Sequence, residues 1–184
     1  DTWQNPKLFC FDKHLKIKSV AGCPPDYFSK TGQLWGNVLY DWEAMKKDNY
    51  SWWEQRIKHS FLLYDVLRLD HFRGFASYWA IRYGEKTAIN GRWKIGPRIQ
   101  FFRNLERKLK NIDIIAEDLG TLTADVFKLL RQTNYPNMKV LQFGLTEWDN
   151  MYNPKNYTEN SVAYTGTHDN MSMVEWYSTL NKNE

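Results

Sequence analysis

Two cysteines in 184 residues, Cys10 and Cys23, are too few for a disulfide framework and lack the spacing of a metal site. No other grouping of His, Asp and Glu has metal-ligand spacing, so no catalytic metal is expected. No apolar run approaches the roughly 20 residues of a bilayer span and no signal peptide is visible, so no membrane partner is expected. Charge of one sign is also scarce. The net charge of +4 is spread along the chain, and Lys46-Lys47 and Arg107-Lys108 with Lys110 read as solvated helix faces rather than a nucleic-acid stripe. The chain is short of the about 250 residues of a complete α/β barrel, and it opens Asp1-Thr2-Trp3 without Met, so it is expected to be a piece of a larger domain.

Aromatic residues are plentiful: 16% of the chain, with nine Trp and eleven Tyr. Flat rings with one wet edge suit sugar binding, although any single Trp is as readily a core residue. Residues 1–48 carry turn signals at Asn5-Pro6, Gly22, Pro24-Pro25, Gly32 and Gly36-Asn37 and show no amphipathic period. With Tyr27, Phe28, Leu34, Trp35, Tyr40 and Trp42 among them, they are expected to form a loop-rich, aromatic binding segment. Downstream, the periodicity predicts helices from Ser51 through Phe61, over 99–110, over 123–132 and over 169–177. Strands are expected at 65–69, 112–116, 138–143 and 162–165, with a polar loop over 85–97 that carries Trp93. This alternation is that of a parallel sheet, and the expected fold is α/β, part of a TIM-type (β/α)8 barrel.

Three of these strands end on acids. The run through Leu67-Arg68-Leu69 delivers Asp70 and His71, the run through Ile114-Ile115-Ala116 delivers Glu117 and Asp118, and the run through Tyr164 delivers His168 and Asp169. Arg68 lies two residues before Asp70, on the same strand face, and a guanidinium there favours the charged carboxylate that a nucleophile requires. Glu117 follows four apolar residues, and partial desolvation gives it the raised pKa of a general acid. Taken singly, Asp70 and Glu117 read as well as strand-end charges, Asp169 as an N-cap, and His71 and His168 as packing residues. Together they point to a pair of acids cleaving a glycosidic bond. The sequons at Asn49, Asn156 and Asn170 include one beside Asp169, which should carry no glycan if the site is there.

Longer motifs sharpen this reading. Asp1-Thr2-Trp3 with Asn5-Pro6 and Leu8-Phe9, Ala21-Gly22-Cys23-Pro24-Pro25-Asp26-Tyr27-Phe28-Ser29, Gly32-Gln33-Leu34-Trp35-Gly36-Asn37 and Leu39-Tyr40-Asp41-Trp42 precede Arg68-Leu69-Asp70-His71-Phe72-Arg73-Gly74. Ile115-Ala116-Glu117-Asp118-Leu119-Gly120 and Thr165-Gly166-Thr167-His168-Asp169-Asn170 follow. On these segments residues 1–177 resemble the central part of the 4-α-glucanotransferases (amylomaltases, or disproportionating enzymes) of the α-amylase clan. Val38 and Cys23 depart from the usual family residues at their positions. The resemblance implies Asp70 as nucleophile, Glu117 as acid/base and Asp169 as transition-state stabiliser. It implies Arg68, His71 and His168 as support around them, and Asp26, Tyr27, Phe28, Gln33 and Trp35 as the lining of a glucan cleft, on a loop over the C-terminal face of a barrel lacking its first and last strands. It further implies α-1,4-glucan substrates and a cytoplasmic or plastid location. No organic cofactor is expected, since carboxylates suffice for the chemistry. An α-amylase-type hydrolase and a non-catalytic glucan-binding module are the alternatives.

Overall fold

The computed structural model describes residues 1–26, 29–145 and 150–180. In chain order its strands and helices are β1 (Ser19–Cys23), β2 (Gln33–Val38), α1 (Trp42–Lys47), α2 (Ser51–Ser60), β3 (Val66–Leu69), α3 (Arg73–Ala76), β4 (Ser77–Arg82), β5 (Arg92–Ile95), α4 (Arg98–Lys108), β6 (Asp113–Ala116), α5 (Ala124–Thr133), β7 (Asn137–Val140), β8 (Ser161–Tyr164) and α6 (Met173–Thr179).

The strands form two sheets. Short apolar segments separated by helices pair in parallel in the order β3-β6-β7-β8, with Leu69 opposite Ala116 and Val140 opposite Tyr164. All four strands therefore end on the same side, which is what brings the acids of separate segments together. This sheet is open, with β3 and β8 at its edges.

A second sheet, antiparallel in the order β2-β1-β4-β5, departs from the sequence expectation. Residues 1–48 are not uniformly irregular, since β1, β2 and α1 lie within them, and β5 occupies the middle of the expected loop 85–97. All four β5 residues are exposed, so the two-residue alternation that betrays a half-buried strand is missing there. Gly22 conceals β1 in another way: a Cβ at this position would lie 2.1 Å from the Gln33 carbonyl oxygen, so what reads as a turn glycine is a close approach of two strands.

The main core lies between the parallel sheet and α1, α2, α4 and α5, and it is unusually aromatic. Phe101 is fully buried against Trp42, Tyr50, Trp53, Phe75 and Phe102, with ring centroids 4.9–5.8 Å away. Truncating one such ring leaves a cavity that costs about 3–5 kcal/mol. Trp42, Trp52 and Trp53 are thus taken up in this packing.

Helix α2 begins at Ser51 as expected, with Tyr50 as its N-cap and Asp48 accepting hydrogen bonds from the Ser51 backbone N–H (3.3 Å) and hydroxyl (2.6 Å). The start of the last helix differs from expectation. The last helix begins at Met173 with Ser172 as its cap, so Asp169 lies before the helix and has no capping role in it.

Candidate active site

At the carboxyl ends of the parallel strands a cleft of about 440 Å³ opens between the two sheets. Asp70 enters it directly after β3. Arg68 Nη1 donates to Asp70 Oδ1 at 2.7 Å, the same-face pairing that strand alternation predicts. The Asp70 side chain remains 75% exposed, available to a ligand.

Glu117 enters after β6 and has a different environment. The His71 backbone N–H donates to Glu117 Oε2 at 2.6 Å and the Leu119 N–H donates to Oε1 at 3.0 Å. The main chain is stitched as well, from Phe72 N–H to the Glu117 carbonyl and from Glu117 N–H to the Leu69 carbonyl. Burial pushes the Glu117 carboxyl above its usual range, with the neighbouring Asp70 charge adding to the rise, against the opposing pull of the two N–H donors and Arg68. The two acids thus occupy contrasting surroundings, one exposed beside a cation and one desolvated.

Asp118, adjacent in sequence, is turned away and buried, accepting from Met138 N–H at 3.1 Å and Asn137 Nδ2 at 2.9 Å. It ties β6 to β7.

Asp169 reaches the cleft on the turn after β8. Thr167 and Asn170 brace this turn: Asn170 Oδ1 accepts from the Thr167 N–H (2.9 Å) and hydroxyl (2.7 Å), so the amide of the sequon Asn faces inward to its own loop. His168 is not among the lining residues. Its side chain is 75% exposed, with Nε2 3.3 Å from Asp169 Oδ2.

Of the expected glucan contacts, Asp26, Gln33, Trp35, Arg68 and His71 line the cleft. Tyr27 and Phe28 lie outside the described residues. Trp35 meets the His71 ring edge-on with centroids 4.9 Å apart, and its Nε1 donates to Gln33 Oε1 at 3.0 Å. His71 has a left-handed φ of 50°, a conformation that costs about 1–3 kcal/mol in a non-glycine residue and that collects at functional sites. Gly74 accommodates the imidazole, since a Cβ there would stand 2.8 Å from His71 Nδ1.

Burial, reinforced by Arg73, depresses the His71 pKa to about 4. The stability this neutral histidine supports is complete above pH 6.5, its unfolded value, and is lost as pH falls towards 4, because only the unfolded chain takes up the proton. That loss is on the order of 3 kcal/mol by linkage. Urea unfolding at pH 7 and pH 4.5 should therefore show a smaller drop in midpoint for His71→Gln than for the parent. Equal drops would refute it.

The sequence reading passed over several lining residues: Cys23, Arg73, Trp79 and Trp93. Arg73 was legible as an Arg within the apolar run Phe72-Arg73-Gly74-Phe75, a setting that demands partners. It finds them in the Thr121 carbonyl (2.6 Å), Thr123 Oγ1 (3.2 Å) and Ser77 Oγ (3.4 Å). Among the described residues no group of three or more His, Cys, Asp or Glu is placed to hold a metal ion, and no helix is long and apolar enough to cross a membrane.

Fold and cleft together define an α/β protein with an acid-bearing cleft at the carboxyl ends of parallel strands. Residues 1–184 match the model of the 4-alpha-glucanotransferase family throughout, and the chain belongs to that family. It is 50% identical to a 4-alpha-glucanotransferase of Clostridium butyricum over 186 aligned residues, covering 100% of this chain and 38% of that protein. It is 48% identical to the chloroplastic/amyloplastic 4-alpha-glucanotransferase of Solanum tuberosum, covering 100% of this chain and 32% of that one. Its structure superposes on the amylomaltase of Streptococcus agalactiae in complex with acarbose with a TM-score of 0.92 and 40% identity, over 98% of this chain and 37% of that one. The chain spans between 32% and 38% of these proteins' lengths.

Proposed function

We propose that these residues carry the catalytic centre of a 4-alpha-glucanotransferase that moves α-1,4-glucan segments between maltooligosaccharides. The observation that carries the reading is the contrast between Asp70 and Glu117 in one cleft, one carboxylate exposed beside Arg68 and the other desolvated and held by the His71 and Leu119 N–H groups. Asp70 attacks the anomeric carbon as Glu117 gives its proton to the departing glycosidic oxygen, and a glycosyl ester forms on Asp70. Both Glu117 oxygens accept backbone N–H bonds, which favour the carboxylate that remains once the proton is delivered. The 4-hydroxyl of a second glucan then yields its proton to Glu117, attacks the same carbon and frees Asp70. Asp169 holds sugar hydroxyls as positive charge develops on the ring, and Arg68, His71 and His168 orient these acids. Asp26, Tyr27, Phe28, Gln33 and Trp35 line the path of the glucan.

The domain in this reading is part of a (β/α)8 barrel completed by chain beyond the parallel sheet. The open edges at β3 and β8, the exposed Leu62 and Leu63 before β3 and Val66 at its start, and the partial coverage of the relatives support it. Retention requires the Asp70 and Glu117 carboxyls to stand about 5–5.5 Å apart.

Incubation of the full-length protein with maltotriose tests the function. A chromatographic ladder that includes glucose and longer maltooligosaccharides is the expected result. Shorter chains and reducing ends alone would establish a hydrolase, and no products would establish a binding module.

A further inference from the structure

Trp93 is exposed without a packing reason. It sits in β5, an edge strand whose four residues are all exposed, and it retains 44% of its surface while lining the same cleft as Asp70 and Glu117. A single exposed ring is common in itself, and its place on the wall that carries the acids is what marks this one.

The ring is nevertheless held firmly. The Arg73 guanidinium carbon stands 4.2 Å from its centroid, a close cation–π contact, and Trp79, its cross-strand partner, meets it at 5.2 Å and 69°. Arg73 is in turn fixed by Thr121 and Thr123, which follow Glu117 in the chain, and is only 6% exposed. The orienting cation, the edge-on neighbour and the remaining open surface together describe a flat platform ordered before any ligand arrives. Binding to such a platform avoids the entropy of immobilising a side chain.

The pairing also has a counterpart. His71 contacts Trp35, and Arg73, two residues on, contacts Trp93. The segment bearing Asp70 thereby positions two aromatic walls, one contributed by β2 and one by β5.

We propose that Trp93 is a second sugar-stacking subsite of the cleft, taking the apolar face of a glucosyl unit of the bound glucan, with Arg73 as its positioning residue. The proposal rests on the transferase reading only for the identity of the ligand. Binding therefore tests it without turnover, by calorimetric titration of maltoheptaose into the full-length protein carrying Asp70→Asn.

In that background Trp93→Ala is expected to weaken maltoheptaose about tenfold, and Trp93→Phe, which keeps a smaller ring and guards against misfolding of the first variant, about threefold. Arg73→Lys keeps the charge but loses the planar fork, and should weaken binding when Trp93 is present and have no further effect on Trp93→Ala. A purely structural Arg73 would weaken both alike, overturning the positioning role. Affinities within twofold of the parent for both Trp93 variants, or no maltoheptaose binding by the Asp70→Asn protein, would overturn the subsite. If the parent protein makes no ladder from maltotriose while the Trp93 dependence of binding holds, the transferase reading falls and the subsite stands.

Discussion

Asp70→Asn in the full-length protein should reduce formation of longer maltooligosaccharides from maltotriose by about four orders of magnitude or more. The reason lies in what the residue touches. Its side chain pairs with Arg68 and is 75% exposed, so an isosteric amide disturbs little of the fold. What it removes is the oxygen that, in the proposed mechanism, forms the bond to the anomeric carbon, and nothing on β3 can replace it. Circular dichroism and maltoheptaose affinity should stay near the parent values while product chromatography shows the loss. A residual rate within tenfold of the parent would move the nucleophile away from Asp70.

Glu117→Gln is expected to lower transfer from maltooligosaccharides by about three orders of magnitude, with a distinguishing rescue. α-Maltosyl fluoride needs little protonation to depart, so glycosylation of Asp70 from this donor should recover most of its rate. The pH profile supplies a second check. Because burial raises the Glu117 pKa, the protonated acid persists to higher pH than an ordinary carboxyl, and activity falls as pH rises through that value. In the proposed mechanism the alkaline limb belongs to Glu117, and it should disappear from the fluoride reaction of the variant. If the fluoride is no better a donor than maltotriose for Glu117→Gln, the residue is not the acid.

The acids were legible because chemistry and periodicity coincide at strand ends. Arg68 and Asp70 fall on one face by alternation, and Glu117 follows Ile114-Ile115-Ala116 into a desolvated position. The antiparallel sheet was largely hidden, for its strands satisfy needs other than burying an apolar face. Gly22 marks a close strand approach, and Arg92-Trp93-Lys94-Ile95 is exposed along its whole length. The tryptophans divide by partner rather than by composition: Trp42, Trp52 and Trp53 join the core around Phe101, and Trp35 and Trp93 stand at the cleft beside His71 and Arg73. Nothing local to the residues around Trp53 or Trp93 announces that division. Likewise, Asp169 read as well as a cap residue, and only the start of α6 at Met173 shows otherwise.

The grip of main-chain N–H groups on Glu117 makes the acid a reporter of assembly. One donor, His71, follows β3 and the other, Leu119, follows β6, so the carboxylate is seated only where segments 46 residues apart have met in register. A slip by one residue would turn Arg68 and Asp70 to the opposite face and withdraw the His71 donor. During refolding, a collapsed chain with mismatched strands would bury much of its aromatic core and look compact to fluorescence, yet it would be chemically silent. Recovery of turnover therefore counts correctly zipped molecules alone, and a lag between return of fluorescence and return of turnover would measure the time spent correcting strand registration.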